Sequence, residues 1–208
     1  HHAALAWLAK IPYRAGFGTN IMQRLFLNKP PYIKEYVGPG VAVFEDATSF
    51  VLAHNIVKNR AVPKMLVPQA EIETGRKAIS NLPHPVIAFS IGTSKLHKHW
   101  GNENYSILAN TLIEHGYGVA ILGGPNEREV AMKIVDNVSA NNRLAIKIMT
   151  ENTILQSAGV LRAVDLCVGN DTGILQMAAA NDIPTICILG NRPLLLHDPL
   201  INCILDSS

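Results

Sequence analysis

The sequence has 208 residues, of which 48% are hydrophobic and 16% charged, so it can bury a substantial core within one large domain or one and a half. A formal net charge of +2 without a basic block, and an aromatic content of 6%, argue against a nucleic-acid-binding protein. No apolar run approaches the roughly 20 residues that span a bilayer. We therefore expect a cytoplasmic protein without a transmembrane segment.

The first 64 residues show no regular alternation of strands and helices. Residues 3–9 predict a short helix, residues 13–18 a brief strand, residues 19–40 a partly helical linker and residues 46–57 a helix. The sequence opens within a helical pattern that has no N-cap residue, which is typical of a truncated chain.

From residue 65 onward, short apolar runs alternate regularly with amphipathic segments. The runs predict strands at 65–68, 86–89, 119–122, 144–149, 166–168 and 185–189, and helices at 71–82, 104–115, 127–138, 150–164 and 172–181. Apolar strands separated by helices predict an α/β fold, a Rossmann-like parallel sheet with helices on both faces. After residue 190 the sequence contains Pro193 and Pro199 without a further helix, and we expect a loosely ordered tail.

The three cysteines, Cys167, Cys187 and Cys203, are odd in number and lack CxxC spacing. Two of them fall inside apolar runs. This pattern predicts small buried thiols in a reducing compartment rather than a disulfide or a metal site.

In a parallel sheet of this kind, ligands bind at the carboxyl ends of the strands. That rule selects the loops at 90–100, 123–127, 149–152 and 169–173. In the first loop, Thr93 and Ser94 are followed by lysines and histidines. Hydroxyls and a flexible ammonium group at a strand end suit a diphosphate, whereas a solvated polar loop is the alternative. A metal site is disfavoured because His97 and His99 have no visible third ligand.

The second loop places Glu127 after Gly123 and Gly124, close to the predicted start of a helix. A carboxylate in this position can accept hydrogen bonds from the vicinal hydroxyls of a ribose. It can also cap the helix, where the helix dipole stabilises it. The two roles are compatible.

The fourth loop joins an apolar strand to an alanine-rich helix. The amides of Thr172 and Gly173 would lie at the positive end of the helix dipole, where phosphates bind. Gln176 falls on the same helix face as Thr172. Asp171 would be repelled by a diphosphate, so it must face sugar hydroxyls, cap the helix or pair with a cation such as Lys98. We expect a cap combined with hydroxyl contact.

Taken in order, these motifs resemble those of bacterial glycosyltransferase family 9, the ADP-heptose:lipopolysaccharide heptosyltransferases. The resemblance covers about residues 3 to 193. It is carried by Ile11–Phe17 (similar to the family's IPxRxGF segment), Thr93-Ser94 with Lys98-His99-Trp100, Gly123-Gly124-Pro125-x-Glu127, and Asp171-Thr172-Gly173 with the following alanines.

The resemblance implies a GT-B enzyme, in which two Rossmann-like domains face each other across a cleft. Residues 1–64 would be the remnant of the N-terminal acceptor domain plus a linker, and residues 65–208 the C-terminal nucleotide-sugar-binding domain. The implied reaction is inverting transfer of a heptose from ADP-heptose to a lipopolysaccharide core acceptor, with peripheral association at the inner membrane surface. The ADP-sugar is a substrate, and neither a cofactor nor a metal is implied.

The resemblance also implies a role for each matching residue. Thr93, Ser94, Lys98, Thr172 and Gly173 would hold the diphosphate. Glu127 would bind the adenosine ribose, and Asp171 would lie near the sugar and phosphate. Lys98 and the helix N-terminus would stabilise negative charge on the departing ADP.

Two features depart from the family pattern. Gln176 stands where the family has histidine; it can hydrogen-bond a phosphate or sugar but carries no charge. The family's catalytic base is an acidic residue near the start of the first domain, which this sequence does not contain, so we expect the chain alone to be inactive. The alternatives are a non-catalytic nucleotide-sugar-binding module and another sugar-nucleotide enzyme such as an epimerase. A dehydrogenase is disfavoured because no GxGxxG follows a strand.

Replacing Lys98 by alanine should weaken the binding of ADP by about 10- to 100-fold, because a charge-assisted contact with the diphosphate is lost. Lys95→Ala removes the same charge from the same loop and should leave the affinity nearly unchanged. Isothermal titration calorimetry of both variants measures the difference. Equal losses would show that the family's lysine position does not transfer to Lys98.

Overall fold

The computed structural model describes residues 2–39, 42–60, 62–93, 99–189, 195–196 and 198–205. The chain forms two compact units, His1–Val62 with Pro193–His197 and Pro63–Arg192 with Asp198–Ser208. Within the described residues, no helix has both the length and the apolar character needed to cross a membrane.

The first unit contains helices α1 (His2–Leu8), α2 (Ile21–Arg24) and α3 (Ala42–Ala53). Asn20 caps α2, since its Oδ1 accepts a hydrogen bond from the Gln23 amide at 3.0 Å. The brief strand predicted for residues 13–18 is wrong. Its backbone makes isolated bonds instead of a ladder, and the Arg14 guanidinium donates to the carbonyl of Phe26 at 2.7 Å.

The second unit is a six-stranded parallel sheet with helices on both faces, which confirms the predicted α/β Rossmann-like fold. Its strands are β1 (Val86–Ser90), β2 (Gly118–Leu122), β3 (Ile146–Met149), β4 (Leu166–Asn170), β5 (Thr185–Leu189) and β6 (Ile201–Leu205). Its helices are α4 (Gln69–Ile79), α5 (Asn102–Glu114), α6 (Arg128–Asp136), α7 (Ile154–Leu161) and α8 (Gly173–Ala180), with 3₁₀ turns at Pro125–Glu127 and Ala140–Ala145.

The strand order is β3-β2-β1-β4-β5-β6, and every adjacent pair is parallel. The chain builds β2 and β3 on one side of β1 and then crosses to β4 on the other side. In the register of this pair, Ser90 lies opposite Gly169. Open sheets of this kind bind ligands where the strand order reverses, which here is at the carboxyl ends of β1 and β4.

Two hydrophobic clusters cover the sheet, one on each face. All five residues of β1 and all five of β2 are buried. Val86 and Ala88 belong to the cluster formed with α4, α7 and α8, while Ile87 and Phe89 pack with α5 and α6. Burying a large apolar side chain contributes about 1.5–3 kcal/mol, so these two layers keep the strand ends in place.

Two of the three thiols are buried, as the sequence predicts: those of Cys167 and Cys187. Burial raises the pKa of Cys167 to about 12 and also raises the pKa of Cys187. Both thiols therefore stay protonated at neutral pH.

Two predictions at the edges of this unit are wrong. Residues 65–68 form no strand; the Met65 amide makes a single bond to the carbonyl of Ala180 at 2.9 Å, and Pro68 begins α4 as its N-cap. The tail predicted to be loose instead contributes β6, which pairs with β5 from Thr185↔Ile201 to Leu189↔Leu205. Residues 201–205 form only a short run soon after Pro199, and the sequence alone does not predict a strand there.

Helix α7 also begins later than predicted. Thr153 is its N-cap, three residues after the predicted start of the helix at residue 150. The Thr153 hydroxyl accepts from the Gln156 amide at 3.2 Å, and the Gln156 side chain accepts from the Thr153 amide at 2.9 Å. This capping box satisfies two amides at the helix start and leaves Thr150 and Asn152 in the loop that follows β3.

Gly75→Ala should destabilise the protein by about 1–3 kcal/mol. A Cβ at Gly75 would lie 2.3 Å from the backbone carbon of Gly159, where α4 and α7 are in contact. Helix propensity alone would favour alanine by up to about 1 kcal/mol.

Thr74→Ala, on the exposed face of α4, is the matched control and should be neutral or slightly stabilising. Urea denaturation followed by circular dichroism compares the two variants. If Gly75→Ala increased stability, the close packing of α4 on α7 would be disproved.

Candidate functional site

The loops at 123–127 and 169–173 meet the loop at 90–100 near Gly92, just beyond the end of β1. A Cβ at Gly92 would lie 3.8 Å from Cδ of Glu127 and 3.8 Å from Cγ2 of Thr172. Residues that are far apart in the sequence therefore face one small space at the carboxyl edge of the sheet. Because Gly92 has no side chain, the backbone in this space remains open to a ligand.

Thr172 is the residue that joins β1, β4 and α8 at this edge. Its Oγ1 lies 2.5 Å from the hydroxyl of Ser90 and accepts from the Leu175 amide at 3.4 Å. Thr172 is thus the N-cap of α8, and the expectation that Asp171 caps this helix is wrong. Thr172 has the extended backbone of an N-cap, from which its hydroxyl reaches the third amide of the helix.

The N-terminus of α8 lies beside the same space, since its N-cap Thr172 is one of the residues that border it. The first amides of a helix have no acceptor within the helix and lie at the positive end of its dipole. Apart from its chain neighbours and the backbone of its own helix, no described atom lies within 4 Å of a Cβ at Gly173, so the first turn is open on this side. The geometry suits an anion, and the phosphate contacts of Thr172 and Gly173 stay a prediction.

Asp171 and Gln176 are joined directly. The Gln176 side-chain amide donates to Oδ1 of Asp171 at 3.2 Å. The glutamine thus gives the carboxylate a neutral hydrogen-bond donor and restricts its rotation. Whether either residue also contacts a donor sugar or phosphate stays a prediction.

The Glu127 carboxylate has two different environments at its two oxygens. The Gly124 amide donates to Oε2 at 2.6 Å, which caps the 3₁₀ turn Pro125–Glu127. Oε1 would lie 3.9 Å from a Cβ at Gly92, on the side of the shared space. The capping role is confirmed, and the ribose-binding role stays a prediction.

The loop that follows β3, which the sequence selects without assigning its residues a binding role, contributes two polar residues. Thr150 is 1% exposed, and its hydroxyl has no hydrogen-bond partner among the described residues. The Asn152 side-chain nitrogen is likewise buried without a described partner. The Thr150 methyl group would lie 3.4 Å from a Cβ at Gly123. Buried polar groups normally have partners, so these two have unused capacity to bind a ligand.

A cavity of about 360 Å³ lies against this loop. Its lining includes both polar residues, and at its rim Arg128 pairs with Glu151. The general signal that could have identified Thr150 and Asn152 is their place directly after an apolar strand.

Several predicted site residues fall in the segment after Gly92. Thr93 is half-buried and lies next to the shared space in sequence. Ser94 and Lys98 lie outside the described residues, as does His97. Their roles stay predictions.

The side chain of His99 forms a hydrogen bond within its own loop. The Gly101 amide donates to its Nδ1 at 2.9 Å, so the proton of the neutral ring is on Nε2. Burial lowers the pKa of His99, which keeps the ring neutral at pH 7. In the part of the chain that the structure describes, no group of three or more His, Cys, Asp or Glu residues is placed to hold a metal ion.

The sequence reasoning also missed the buried polar residues beneath the site. Ser90 is fully buried, and its carbonyl accepts from the Tyr105 hydroxyl at 3.2 Å. Asn170 is 2% exposed and bonds the backbone of the segment after β1. Each ends an otherwise apolar strand, and this interruption is the signal that could have identified them.

Comparison with known proteins supports the family resemblance seen in the sequence. The profile of the family described as "Glycosyltransferase family 9 (heptosyltransferase)" matches residues 1–202. Lipopolysaccharide heptosyltransferase 2 of Salmonella typhimurium is 25% identical over 198 residues, which cover 90% of this chain and 56% of that protein.

Solved structures show the same fold. The E. coli ADP-heptose lipopolysaccharide heptosyltransferase II superposes with a TM-score of 0.77 at 22% identity, covering 99% of this chain and 66% of that one. The glycosyltransferase family 9 protein of Veillonella parvula gives a TM-score of 0.81 at 17% identity, covering 98% and 59%. The chain thus spans between 56% and 66% of the length of these three relatives. Because the family profile extends over nearly the whole sequence, the chain belongs to glycosyltransferase family 9, the heptosyltransferases.

Proposed function

We propose that this protein is an inverting glycosyltransferase that transfers a heptose from ADP-heptose to a lipopolysaccharide core acceptor. We further propose that residues 65–208 form the domain that binds the ADP-sugar. The observation that carries the proposal is the meeting of Glu127, Thr172 and the open backbone of Gly92 at the switch point of the sheet. The names of the Salmonella and E. coli relatives support the donor and the acceptor.

The diphosphate of the donor is proposed to lie between Gly92 and the N-terminus of α8. There the amides of Thr172 and Gly173 donate to phosphate oxygens, and the helix dipole favours their charge. Thr93 directly follows Gly92 and adds a hydroxyl. Ser94 and Lys98 follow in the same segment and add a second hydroxyl and an ammonium group.

The nucleoside is proposed to extend toward β2 and β3. The Glu127 oxygen that does not cap the 3₁₀ turn accepts hydrogen bonds from the ribose hydroxyls. Beyond it, the unpartnered hydroxyl of Thr150 and the side-chain amide of Asn152 match the donors and acceptors on the edge of an adenine ring. This placement gives Glu127, Thr150 and Asn152 each one part of the nucleoside to bind.

In the proposed reaction, the acceptor hydroxyl attacks the anomeric carbon of the heptose from the face opposite ADP. A bond forms between the acceptor oxygen and this carbon, and the bond from the carbon to the β-phosphate oxygen breaks. The electron pair leaves with ADP, and the hydroxyl proton passes to the carboxylate that the family resemblance places in the first domain. Lys98 and the N-terminus of α8 stabilise the charge that develops on ADP.

Asp171 is proposed to orient the donor, with Gln176 holding it in place. A carboxylate beside a diphosphate is repelled, so its productive contact is with sugar hydroxyls. The 3.2 Å bond from Gln176 supports this assignment, since it fixes the carboxylate without adding a charge.

ADP should bind this chain at least about tenfold more tightly than UDP, because only a purine reaches both Thr150 and Asn152 from a ribose held at Glu127. Titration calorimetry with the two nucleotides measures the ratio. Equal affinities, or no binding of either nucleotide, would disprove the donor assignment.

Glu127→Gln should weaken ADP binding by about 3- to 30-fold without lowering stability. The glutamine oxygen can still accept from the Gly124 amide, but an NH₂ group replaces the oxygen proposed to face the ribose. Glu129→Gln, an exposed charge two residues further on, is the matched control and should leave the affinity unchanged.

The same titrations with 2′,3′-dideoxy-ADP identify the contact. The Glu127→Gln loss should vanish with this ligand because it has no ribose hydroxyls. A loss of the same size for both ligands would mean that Glu127 does not bind the ribose.

A further inference from the structure

The side chain of Asn170, the last residue of β4, contacts the 91–100 segment on both sides of the proposed phosphate-binding residues. Its Nδ2 donates to the carbonyls of Ile91 at 3.1 Å and Gly92 at 3.2 Å. Its Oδ1 accepts from the amide of Trp100 at 3.3 Å. We infer that Asn170 is a positioning residue that braces the backbone at Ile91-Gly92 and at Trp100, and thereby holds Thr93 and the open backbone of Gly92 in place for the diphosphate.

Only an amide side chain can make this set of bonds. The three bonds use both N–H groups of the Asn170 amide and its oxygen at once. An aspartate would place a carboxylate against the carbonyls of Ile91 and Gly92, and an alanine would leave both carbonyls and the Trp100 amide without this partner. Asn170 is 2% exposed, so water cannot replace the lost bonds without rearrangement.

The position of the brace connects it to function. Thr93, a proposed diphosphate contact, directly follows Gly92, whose carbonyl accepts from the Asn170 side chain. The residue after Asn170 begins the opposite wall of the site, from Asp171 to Gly173. The Asn170 side chain therefore fixes the position of Gly92 relative to residues 171–173. This matters for binding because hydrogen-bond donors to an anion must be held within a narrow geometry.

The inference rests on the proposed function, because it assumes that the segment binds the diphosphate of ADP. A brace that served stability alone would lower the affinity for every part of the nucleotide alike. A brace for the phosphate-binding groups affects ADP and spares adenosine, which lacks phosphates. The ratio of the two affinities separates these roles.

The test compares the Asn170→Ala variant with wild type by calorimetry, using ADP and adenosine as ligands. ADP affinity should fall by about tenfold, and adenosine affinity should change by less than about twofold. Asn110→Ala is the matched control. Asn110 Oδ1 accepts from the Ser139 amide and the Asn142 side chain, both at 3.1 Å, on another part of the same unit. That variant should leave the ADP-to-adenosine ratio unchanged.

A second measurement needs no nucleotide. Hydrogen exchange of the Trp100 amide in the ligand-free chain should be faster in Asn170→Ala than in wild type, and unchanged in Asn110→Ala. If Asn170→Ala fails to fold, Asn170→Ser serves in its place. Its hydroxyl can supply only part of the lost bonding, so both effects should have the same direction and a smaller size.

Three results would overturn the inference: an equal loss of ADP and adenosine affinity, a loss of ADP affinity that Asn110→Ala reproduces, or unchanged exchange at Trp100. If wild type bound no ADP at all, the proposed function would fail instead. The bracing role of Asn170 would then be tested by hydrogen exchange of the Trp100 amide alone. Faster exchange in Asn170→Ala would support this role, and unchanged exchange would refute it.

Discussion

The close approach of β4 to β1 is the constraint on which the site depends. At Gly169 the backbone φ is +155°, and a Cβ would lie 2.1 Å from the carbonyl oxygen of Ser90. Only glycine tolerates this contact, so the close pairing of β4 with β1 requires a glycine at position 169. The contact brings the end of β4 against the loop after β1, and the hydroxyls of Ser90 and Thr172 come within 2.5 Å of each other as a result.

The constraint explains why some site residues were predictable and others were not. Glu127, Thr172 and Gly173 stand in short motifs whose chemistry is visible in the sequence, and the structure places all three near Gly92 or at the adjacent N-terminus of α8. Ser90 contacts Thr172, which follows β4, and Asn170 contacts the segment after β1. Their importance follows from the adjacency of β1 and β4, and the order of strands in a sheet cannot be read from apolar periodicity alone.

The prediction of secondary structure from the sequence has a related limit. The apolar runs that became central strands are buried on both faces, and such runs give a strong signal. Two of the strand errors fall in the second unit, where the edge strand β6 is a five-residue run with three exposed residues, and where residues 65–68 are apolar but form no strand. At an edge, tertiary contacts rather than intrinsic propensity decide whether a segment pairs. The N-cap of α8 was also misassigned, because Asp171 and Thr172 are both good capping residues and only backbone geometry selects between them.

The hydrogen bond from the Gly124 amide to Glu127 has a consequence for the thermodynamics of recognition. Because this bond forms when the domain folds, the rotamer of the carboxylate is selected before any ligand arrives. A flexible side chain that is immobilised on binding costs about 0.5–1.5 kcal/mol in lost conformational entropy. A hydroxyl that reaches the other oxygen of Glu127 meets a group that has already lost this freedom, so more of the hydrogen-bond energy remains available as affinity.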